Sequence, residues 1–383
     1  MTWNWQQHDW PNLSWDKGRL RKAEEHFLVG AGVFGGALKH LPQSDQEQLT
    51  VEAISTEAVA TSEIEGEILD RASVESSIRR QLGLAADSRR IGIAEEGISE
   101  MMVDLYRTFG DPVSDRMLFA WHGMLFEKRG GLRDIGQYRT GDEPMEVVSG
   151  PIHAPRVHFE APPATKVPEE MTRFVDWFNR TGPMGTEHLP ALTRAGIAHL
   201  YFESIHPFED GNGRIGRAIA EKVLAQGFGQ PTLTALAATI LLRRKAYYAT
   251  LEAANKKNEV TAWVCWFAGI AIEAQRRTTA HVEFLIEKTR MLDRLRGQLN
   301  SRQEKALLRM LREGPDGFRG GLSAGNYGSI TGASPATATR DLTDLMDKGV
   351  LLRTGELRHA RYRVAIPVRT VSPVVLDERG NFD

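Results

Sequence analysis

Most of the side chains that could do chemistry lie in one short run, residues 206–217, which reads HPFEDGNGRIGR. Gly211 and Gly213 free the backbone to turn sharply and to point N–H groups at an anion. A helix that begins near Gly213 would add partial positive charge at the same place. Arg214 and Arg217 are three residues apart, so on a helix they share a face and can bind different oxygens of one polyphosphate. The run therefore predicts a phosphate-binding site.

Other side chains of the run extend this prediction. Asp210 is a hard oxygen ligand, suited to Mg²⁺ held between protein and phosphates. His206 is the one group in the run whose unperturbed pKa lies near neutrality, which suits a general base. Each feature is weak evidence alone, because short motifs discriminate loosely. Packing alone does not explain so many polar side chains and glycines together.

The run resembles the signature of Fic-domain proteins, H-P-F-x-(D/E)-G-N-G-R-x-x-R, and matches it at every fixed position. Most characterised members transfer AMP from ATP to a protein hydroxyl, so the resemblance implies a protein adenylyltransferase. It implies that His206 is the base that takes the hydroxyl proton and that Asp210 binds Mg²⁺. The remaining implied nucleotide ligands are the anion hole of Gly211, Asn212 and Gly213 and the phosphate-binding Arg214 and Arg217.

Residues 61–67, with the sequence TSEIEGE, have two interpretations. Alone, they are the solvated acidic end of a helix. They also fit the Fic inhibitory pattern (S/T)-x-x-x-E-(G/N) through Thr61, Glu65 and Gly66. The resemblance implies that Glu65 pairs with Arg217, which removes the γ-phosphate's partner and repels the phosphate. A related alternative is that Glu65 positions a water and the same site removes AMP.

Two further segments resemble parts of a Fic site. Residues 136–140 match the flap, a hairpin that can position an extended target segment by strand addition, although a plain surface hairpin is the alternative. Tyr248 and Asn255 lie in a stretch that contacts adenine in relatives. A tyrosine face could stack on a purine and an asparagine amide could bond it. Tyrosine at helical spacing is also typical of an ordinary core.

The composition is that of a soluble globular protein. The chain has 383 residues, 41% hydrophobic and 26% charged, which predicts two or three domains. The formal net charge of the whole chain is -2, which does not indicate binding to nucleic acid or to a membrane. Cys265 is the one cysteine, which excludes an internal disulfide framework, and its aromatic surroundings predict burial. The first twenty residues lack an export signal, so a cytoplasmic location is expected.

The elements that must position the motif are mostly helical. The sequence predicts a mainly α fold: a Fic-type helical bundle with a short β-hairpin flap, plus a C-terminal winged helix-turn-helix. The motif lies in the turn between helices predicted over 191–205 and 214–226. A later helix over 260–296 is expected to be interrupted. The predicted regions are an N-terminal arm and helical region at 1–110 with the inhibitory helix at about 44–66, the Fic core at 111–300, the winged helix at 301–370 and an extended or disordered tail at 371–383.

The N-terminus is rich in tryptophan. This segment is predicted to be either an arm docked on a larger body or an ordinary strand and turn. The second alternative agrees with the strand spacing of Trp3 and Trp5. The tryptophans of this segment are Trp3, Trp5, Trp10 and Trp15.

The expected partners are ATP and a protein with a Ser, Thr or Tyr hydroxyl, with self-modification and a homodimer as further expectations. A Fic enzyme that transfers phosphate or phosphocholine is one alternative, although the intact arginine pair favours ATP. A DNA-binding regulator is the alternative from another class. Residues 301–370 carry 12 Lys+Arg against 7 Asp+Glu, a net charge of +5.

The charges within this C-terminal region point both ways. Four arginines on the predicted wing favour a phosphate backbone: Arg353, Arg358, Arg361 and Arg363. The predicted recognition helix carries three carboxylates against two cations: Asp341, Asp344 and Asp347 against Arg340 and Lys348. Winged helices also dock proteins, so both partner classes stay open.

Overall fold

The computed structural model describes residues 2–38, 42–150, 155–231, 234–314, 317–318, 320–367 and 369–382. The fold is mainly helical with two small antiparallel strand pairs, which confirms the predicted fold class. Contacts divide the chain into two compact units, one of residues 1–35, 46–275 and 372–383, the other of residues 36–45 and 276–371. The predicted N-terminal region and most of the predicted Fic core therefore form one unit.

Helices make up most of the first unit, and some continue into the second. They are α1 (Lys17–Leu38), α2 (Gln43–Ile64), α3 (Arg71–Gln81), α4 (Ile93–Arg107), α5 (Asp115–Phe126), α6 (Val167–Arg180), α7 (Ala191–Ile205), α8 (Asn212–Phe228), α9 (Leu236–Leu242), α10 (Arg244–Ala254) and α11 (Thr261–Arg294). Short 3₁₀ helices cover Asn4–Gln6 and Ala164–Lys166. Helix α11 is continuous, so the expected interruption was wrong.

Helix α7 is the central helix of the first unit. Nearly every residue from Leu192 to Ile205 is buried, which is the pattern of a helix surrounded by others. The α7 N-terminus has no side-chain cap of its own. Glu24 of α1 supplies the acceptor instead, because its carboxylate accepts from the backbone N–H groups of Leu192 and Thr193 at 3.0 and 2.7 Å. This bond fixes the helix that ends at the motif.

The N-terminal arm packs on the first unit. Trp3 is buried and meets the Phe159 ring edge-on at 5.4 Å between centroids. The Trp5 indole N–H donates to the carbonyl of Glu160 at 2.7 Å. The arm docks, as one of the two interpretations requires, but it does so through a 3₁₀ helix and not through a strand.

The C-terminal tail also packs on the first unit. Val374 and Leu376 are buried in its core, and the carbonyl of Val374 lies 2.5 Å from where a Cβ on Gly269 would stand. A side chain at position 269 would therefore displace the tail. Residues 372–382 carry no helix or strand and are held against this core, so of the two expectations, an extended or a disordered tail, the structure fits the first.

The predicted flap is displaced along the chain. Strands β1 (Glu146–Ser149) and β2 (Arg156–Glu160) form the antiparallel pair, with a register shift after Val147. Residues 136–140 are irregular because other partners use their backbone groups. The Thr140 N–H donates to Asp134 at 2.7 Å, and the Arg139 N–H donates to the Pro207 carbonyl at 3.0 Å.

The second unit contains the elements that a winged helix requires. After α11 come α12 (Ser301–Leu311), α13 (Ala324–Thr331), α14 (Pro335–Asp347) and the antiparallel pair β3 (Leu351–Thr354) and β4 (Arg361–Val364). A 3₁₀ helix at Leu357–His359 joins the strands. An isolated antiparallel bridge links Leu322 to Tyr362. The assignment as a winged helix-turn-helix stays a prediction.

Two further expectations concern the wing arginine Arg358 and membrane binding. The Arg358 side chain lies outside the part of the chain that is described. Among the residues that the structure describes, no helix combines the length and hydrophobicity needed to span a lipid bilayer.

Candidate active site

The motif forms a tight loop between α7 and α8. His206 ends α7 in the left-handed region with φ 50°, and its N–H donates to the Phe202 carbonyl at 3.0 Å. Gly211 precedes α8 with φ 82°. A histidine at positive φ is uncommon and costs energy that the surroundings must offset. Backbone strain of this kind is typical of functional sites, so it indicates that the loop is one.

Asn212 closes the loop from within. Its amide oxygen accepts from the Phe208 N–H at 2.9 Å, and its amide nitrogen donates to the Phe208 carbonyl at 2.8 Å. The Phe208 ring stacks on His122 at 4.3 Å between centroids. The side chain of Asn212 therefore shapes the cradle, and its backbone N–H, at the start of α8, is the group available to an anion.

Arg139 braces the other side of the loop. Its Nε donates to the His206 carbonyl at 2.8 Å, in addition to the backbone bond with Pro207. The side chain is buried. Sequence reasoning missed this residue because nothing in the run around it predicts a contact with the motif.

The His206 ring is largely enclosed. Its side chain is 16% exposed, and the nearest carboxylate oxygen, on Glu203, lies 3.8 Å from Nδ1. Burial, followed by the nearby Arg139 charge, lowers the pKa of His206 to about 4. The imidazole is therefore neutral at neutral pH, the form that a general base requires.

Two nitrogens of the Arg217 guanidinium are bonded to residues at the end of α2 and in the turn after it. Its Nη2 lies 2.7 Å from Glu65 Oε1, and the same nitrogen donates to the Thr61 carbonyl at 2.9 Å. Its Nε donates to the Thr61 hydroxyl at 2.7 Å. Burial opposes the charge, but the Glu65 carboxylate raises the pKa of Arg217. The contact implied by the inhibitory pattern is present.

Glu65 also lies against the start of α8. A Cβ on Gly213 would stand 2.2 Å from Glu65 Oε1, so the glycine is what lets the carboxylate approach. The N-terminus of a helix favours an anion at this position. The carboxylate therefore lies where the sequence predicts a phosphate.

Arg214 is paired with a second carboxylate that sequence reasoning missed. Its Nη1 lies 3.1 Å from Glu67 Oε2, and its Nη2 lies 3.5 Å from Asp210. Glu67 also pairs with Arg129. The guanidinium of Arg214 lies over the Phe126 ring at 5.0 Å. The position of Glu67 in the acidic run 61–67 could have indicated its role. Nothing in the sequence around Arg129 indicates a contact with the motif.

Comparison with known proteins identifies the domain that contains the motif loop. Residues 112–224 match the Fic/DOC family, and residues 3–84 match a domain of unknown function, DUF4172. The chain carries a Fic domain. The match begins just before α5 and ends within α8, so it includes the whole motif loop.

Curated relatives match over short stretches. Protein adenylyltransferase fic-1 of Caenorhabditis briggsae is 32% identical over 87 residues, which are 23% of this chain and 16% of that protein. A probable protein adenylyltransferase of Aquifex aeolicus (strain VF5) is 34% identical over 68 residues, which are 18% of this chain and 20% of that protein. The matches thus span a fifth or less of these relatives.

A solved structure shares the fold over nearly the whole chain. The crystal structure of a Fic family protein from Desulfovibrio desulfuricans G20 has a TM-score of 0.51 and 22% identity, and the alignment covers 94% of this chain and 99% of that chain. This likeness concerns the fold.

The two predicted adenine contacts have different surroundings in the structure. Tyr248 is 39% exposed, and its hydroxyl donates to the Ile64 carbonyl at 3.2 Å, at the end of α2. Asn255 is buried beneath the arm, where its amide oxygen accepts from Ser204 at 3.2 Å and its carbonyl accepts from the Asn4 N–H at 2.7 Å. In this conformation the Asn255 carbonyl holds the arm and its amide oxygen holds Ser204, and its role as an adenine contact stays a prediction.

A Mg²⁺ site in this Fic domain would depend on the substrate. The described residues contain no group of three or more acidic, His or Cys side chains that could hold a metal ion. Asp210 offers a carboxylate that is 58% exposed beside the start of α8. Mg²⁺ commonly takes one or two carboxylates together with waters and phosphates, so this arrangement fits the ion.

The close packing of the motif loop can be tested at Gly211. Alanine there faces a strained backbone and a contact at 2.7 Å with Phe126. Gly229, at the other end of α8, has φ 69°, and no heavy atom lies within 4 Å of a new Cβ. Alanine there would therefore meet the same backbone strain without the steric contact. We expect Gly211→Ala to lower the free energy of unfolding by about 1–3 kcal/mol more than Gly229→Ala.

Urea unfolding followed by tryptophan fluorescence measures this difference, because all 8 tryptophans lie in the first unit. Equal losses in the two variants would show that Gly211 is not closely packed.

Proposed function

We propose that this protein is an adenylyltransferase that transfers AMP from ATP to a hydroxyl side chain of a target protein or of itself. One juxtaposition carries the proposal: a neutral imidazole at one end of the loop and the N-terminus of α8 with two buried arginines at the other. The names of the curated relatives support the same activity.

The reaction follows from this arrangement. The target hydroxyl gives its proton to the neutral His206 ring, and its oxygen attacks the α-phosphorus in line. The bond from the α-phosphorus to the bridging oxygen breaks, and pyrophosphate leaves. Backbone N–H groups at the start of α8, with Arg214 and Arg217, bind the phosphate oxygens and stabilise the charge. Positioning and charge account for most of the catalysis in chemistry of this type.

Asp210 would hold Mg²⁺ against the phosphates. The bound ion would supply charge neutralisation for the leaving pyrophosphate. The Asp210 carboxylate is already oriented, because Oδ1 accepts from the Gly211 N–H.

Glu65 makes the described conformation an inhibited one. Arg217 cannot turn Nε and Nη2 toward the γ-phosphate while Thr61 and Glu65 accept from them. The carboxylate at Gly213 would also repel a phosphate at the start of α8. The α-phosphorus then lacks the in-line geometry for transfer. Whether the same carboxylate positions a water for AMP removal is the alternative within this proposal.

The hairpin of β1 and β2 is suited to present the target. Strand β1 is exposed along its whole length and pairs, among the described residues, with β2 alone. An unpaired edge can add a strand from an extended partner through main-chain hydrogen bonds. The hairpin would thus position a hydroxyl while reading little of the target sequence.

Relief of inhibition is the test of this function. We expect Glu65→Gly to raise the initial rate of AMP transfer from labelled ATP by about tenfold or more, since a lost charge-assisted pair on Arg217 corresponds to at least that factor. Transfer is measured as label on protein in a cell extract, with mass spectrometry of the product to identify the group transferred.

Two variants control this experiment. Glu63→Gly removes an exposed carboxylate two residues earlier and should leave the rate unchanged. Glu65→Gly with His206→Ala should bind ATP but transfer no AMP. If Glu65→Gly labels no more protein than the unaltered chain, the inhibition is wrong, and labelling without His206 removes that residue from the mechanism.

A second candidate function, DNA binding by the second unit, gains support from one observation. Two of the carboxylates that argued against it have partners within their own unit. Asp341 is buried and pairs with Arg302 at 2.9 Å, and it accepts from the Tyr327 hydroxyl at 3.0 Å. Asp344 accepts from the Gln303 amide at 2.6 Å.

The outer face of α14 keeps few charges. Its exposed residues include Thr339, Arg340, Thr343 and Asp347. Hydroxyls and an arginine on an exposed helix are suited to phosphate and base contacts.

DNA binding can be tested at Arg340. We expect Arg340→Ala to weaken binding to random duplex DNA and to reduce the slope of log affinity against log salt by about one. Arg309→Ala is the matched control, because that guanidinium pairs with Glu313 and lies over Phe318 at 5.1 Å. A gel shift absent at low salt would leave protein docking as the role of this unit.

A further inference from the structure

A third arginine lies near Arg214, the first of the two motif arginines. Arg129, in the turn after α5, pairs with Glu67, and Glu67 in turn pairs with Arg214 at 3.1 Å. The two arginines approach this carboxylate from different elements, because Arg214 belongs to the first turn of α8. One carboxylate thus joins two guanidiniums at the edge of the motif loop.

The turn after α2 explains how two carboxylates reach α8 together. Gly66 takes φ 86°, and the Glu67 N–H donates to the Ser62 carbonyl at 3.0 Å. This is the six-to-one bond of a Schellman cap, which reverses the chain at a left-handed glycine. Glu65 and Glu67 therefore lie on either side of the turn and meet Arg217 and Arg214 respectively.

The charges around Arg214 call for an anion. Its side chain is 5% exposed, and its Nε is buried without a hydrogen-bond partner among the described residues. Burial and the neighbouring Arg214 charge both lower the pKa of Arg129, so the two cations are close enough to repel. Two guanidiniums held this close are stable only with negative charge between them. In the described conformation, that charge comes from Glu67, with Asp210 farther away at 3.5 Å from Arg214.

We propose that Arg129 and Arg214 form an anion subsite that binds a phosphate of the nucleotide, and that Glu67 occupies this subsite in the inhibited conformation. This inference rests on the proposed function for the identity of the ligand. Arg129 is then a phosphate-binding residue outside the motif, and Glu67 is a second inhibitory carboxylate. A triphosphate must displace Glu65 from Arg217 and Glu67 from Arg214.

The two carboxylates belong to one segment but act on separate arginines. Loss of Glu65 alone leaves Arg214 and Arg129 paired with Glu67. Loss of both removes the glutamate partners of all three guanidiniums, although Arg217 keeps its bonds to Thr61. The opposite role for Glu67, holding Arg214 and Arg129 in place for the phosphate, predicts the opposite sign when the carboxylate is removed, so affinity measurements separate the two.

The test is calorimetric titration of the full chain carrying Glu65→Gly, with Mg²⁺–ATP and with inorganic pyrophosphate as separate probes. Adding Glu67→Gln should tighten both ligands roughly tenfold, because the competing charge is gone. Adding Arg129→Gln should weaken both by a similar factor, and Arg129→Lys should restore part of the loss. Lys128→Gln removes an exposed neighbouring cation, which pairs with Glu96 at 3.0 Å, and should change neither affinity.

Each outcome bears on the proposal. Unchanged or weaker binding with Glu67→Gln would overturn the inhibitory role, and unchanged binding with Arg129→Gln would overturn the subsite. If pyrophosphate follows the expected pattern but ATP does not bind, the subsite stands and the adenylyltransferase proposal fails. If Glu65→Gly transfers AMP while Arg129→Gln and Glu67→Gln change neither affinity, the subsite alone fails.

Discussion

The proposed inhibition depends on one constraint: Nε and Nη2 of Arg217 cannot bind a phosphate while they are bonded to Thr61 and Glu65. The arginine is buried, and its Nε and Nη2 are committed to Thr61 and Glu65. Thr61 lies in the last turn of α2 and Glu65 directly follows it, so in this proposal the end of α2 controls whether the start of α8 is open to an anion. The left-handed glycine of the turn, Gly66, places Glu67 on Arg214, and the same proposal extends the control to that arginine.

Much of the fold could be predicted because α7 and α8 carry strong local signals. The predicted bounds of the first, 191–205, agree with the structure because apolar residues recur at helical spacing from Leu192 to Ile205 and stop at His206 and Pro207. Helix α8 begins two residues earlier than predicted, at Asn212, since Gly211 supplies the turn. The pairing of Glu65 with Arg217 was accessible through the resemblance alone. The spacing between them, 152 residues, carries no local signal.

The rest could not be predicted because it depends on contacts between distant segments. Residues 136–140 have the composition of a hairpin, but Arg139 is committed to the motif loop, so the strands form later, at β1 and β2. The sequence gives no sign that the Asn255 carbonyl holds the N-terminal arm and that its amide oxygen accepts from Ser204. Arg129 lies in an unremarkable polar turn, and its pairing with Glu67 follows only from the packing of α5 near the end of α2.

The most direct measurement is a crystal structure of the Glu65→Gly chain with Mg²⁺ and an ATP analogue that cannot be cleaved at the α-phosphate. The account predicts that Arg217 releases Thr61 and binds the terminal phosphate, with the α-phosphorus above the start of α8 and facing the His206 ring. A nucleotide bound elsewhere, or one in the loop while Arg217 keeps its bonds to Thr61, would contradict it.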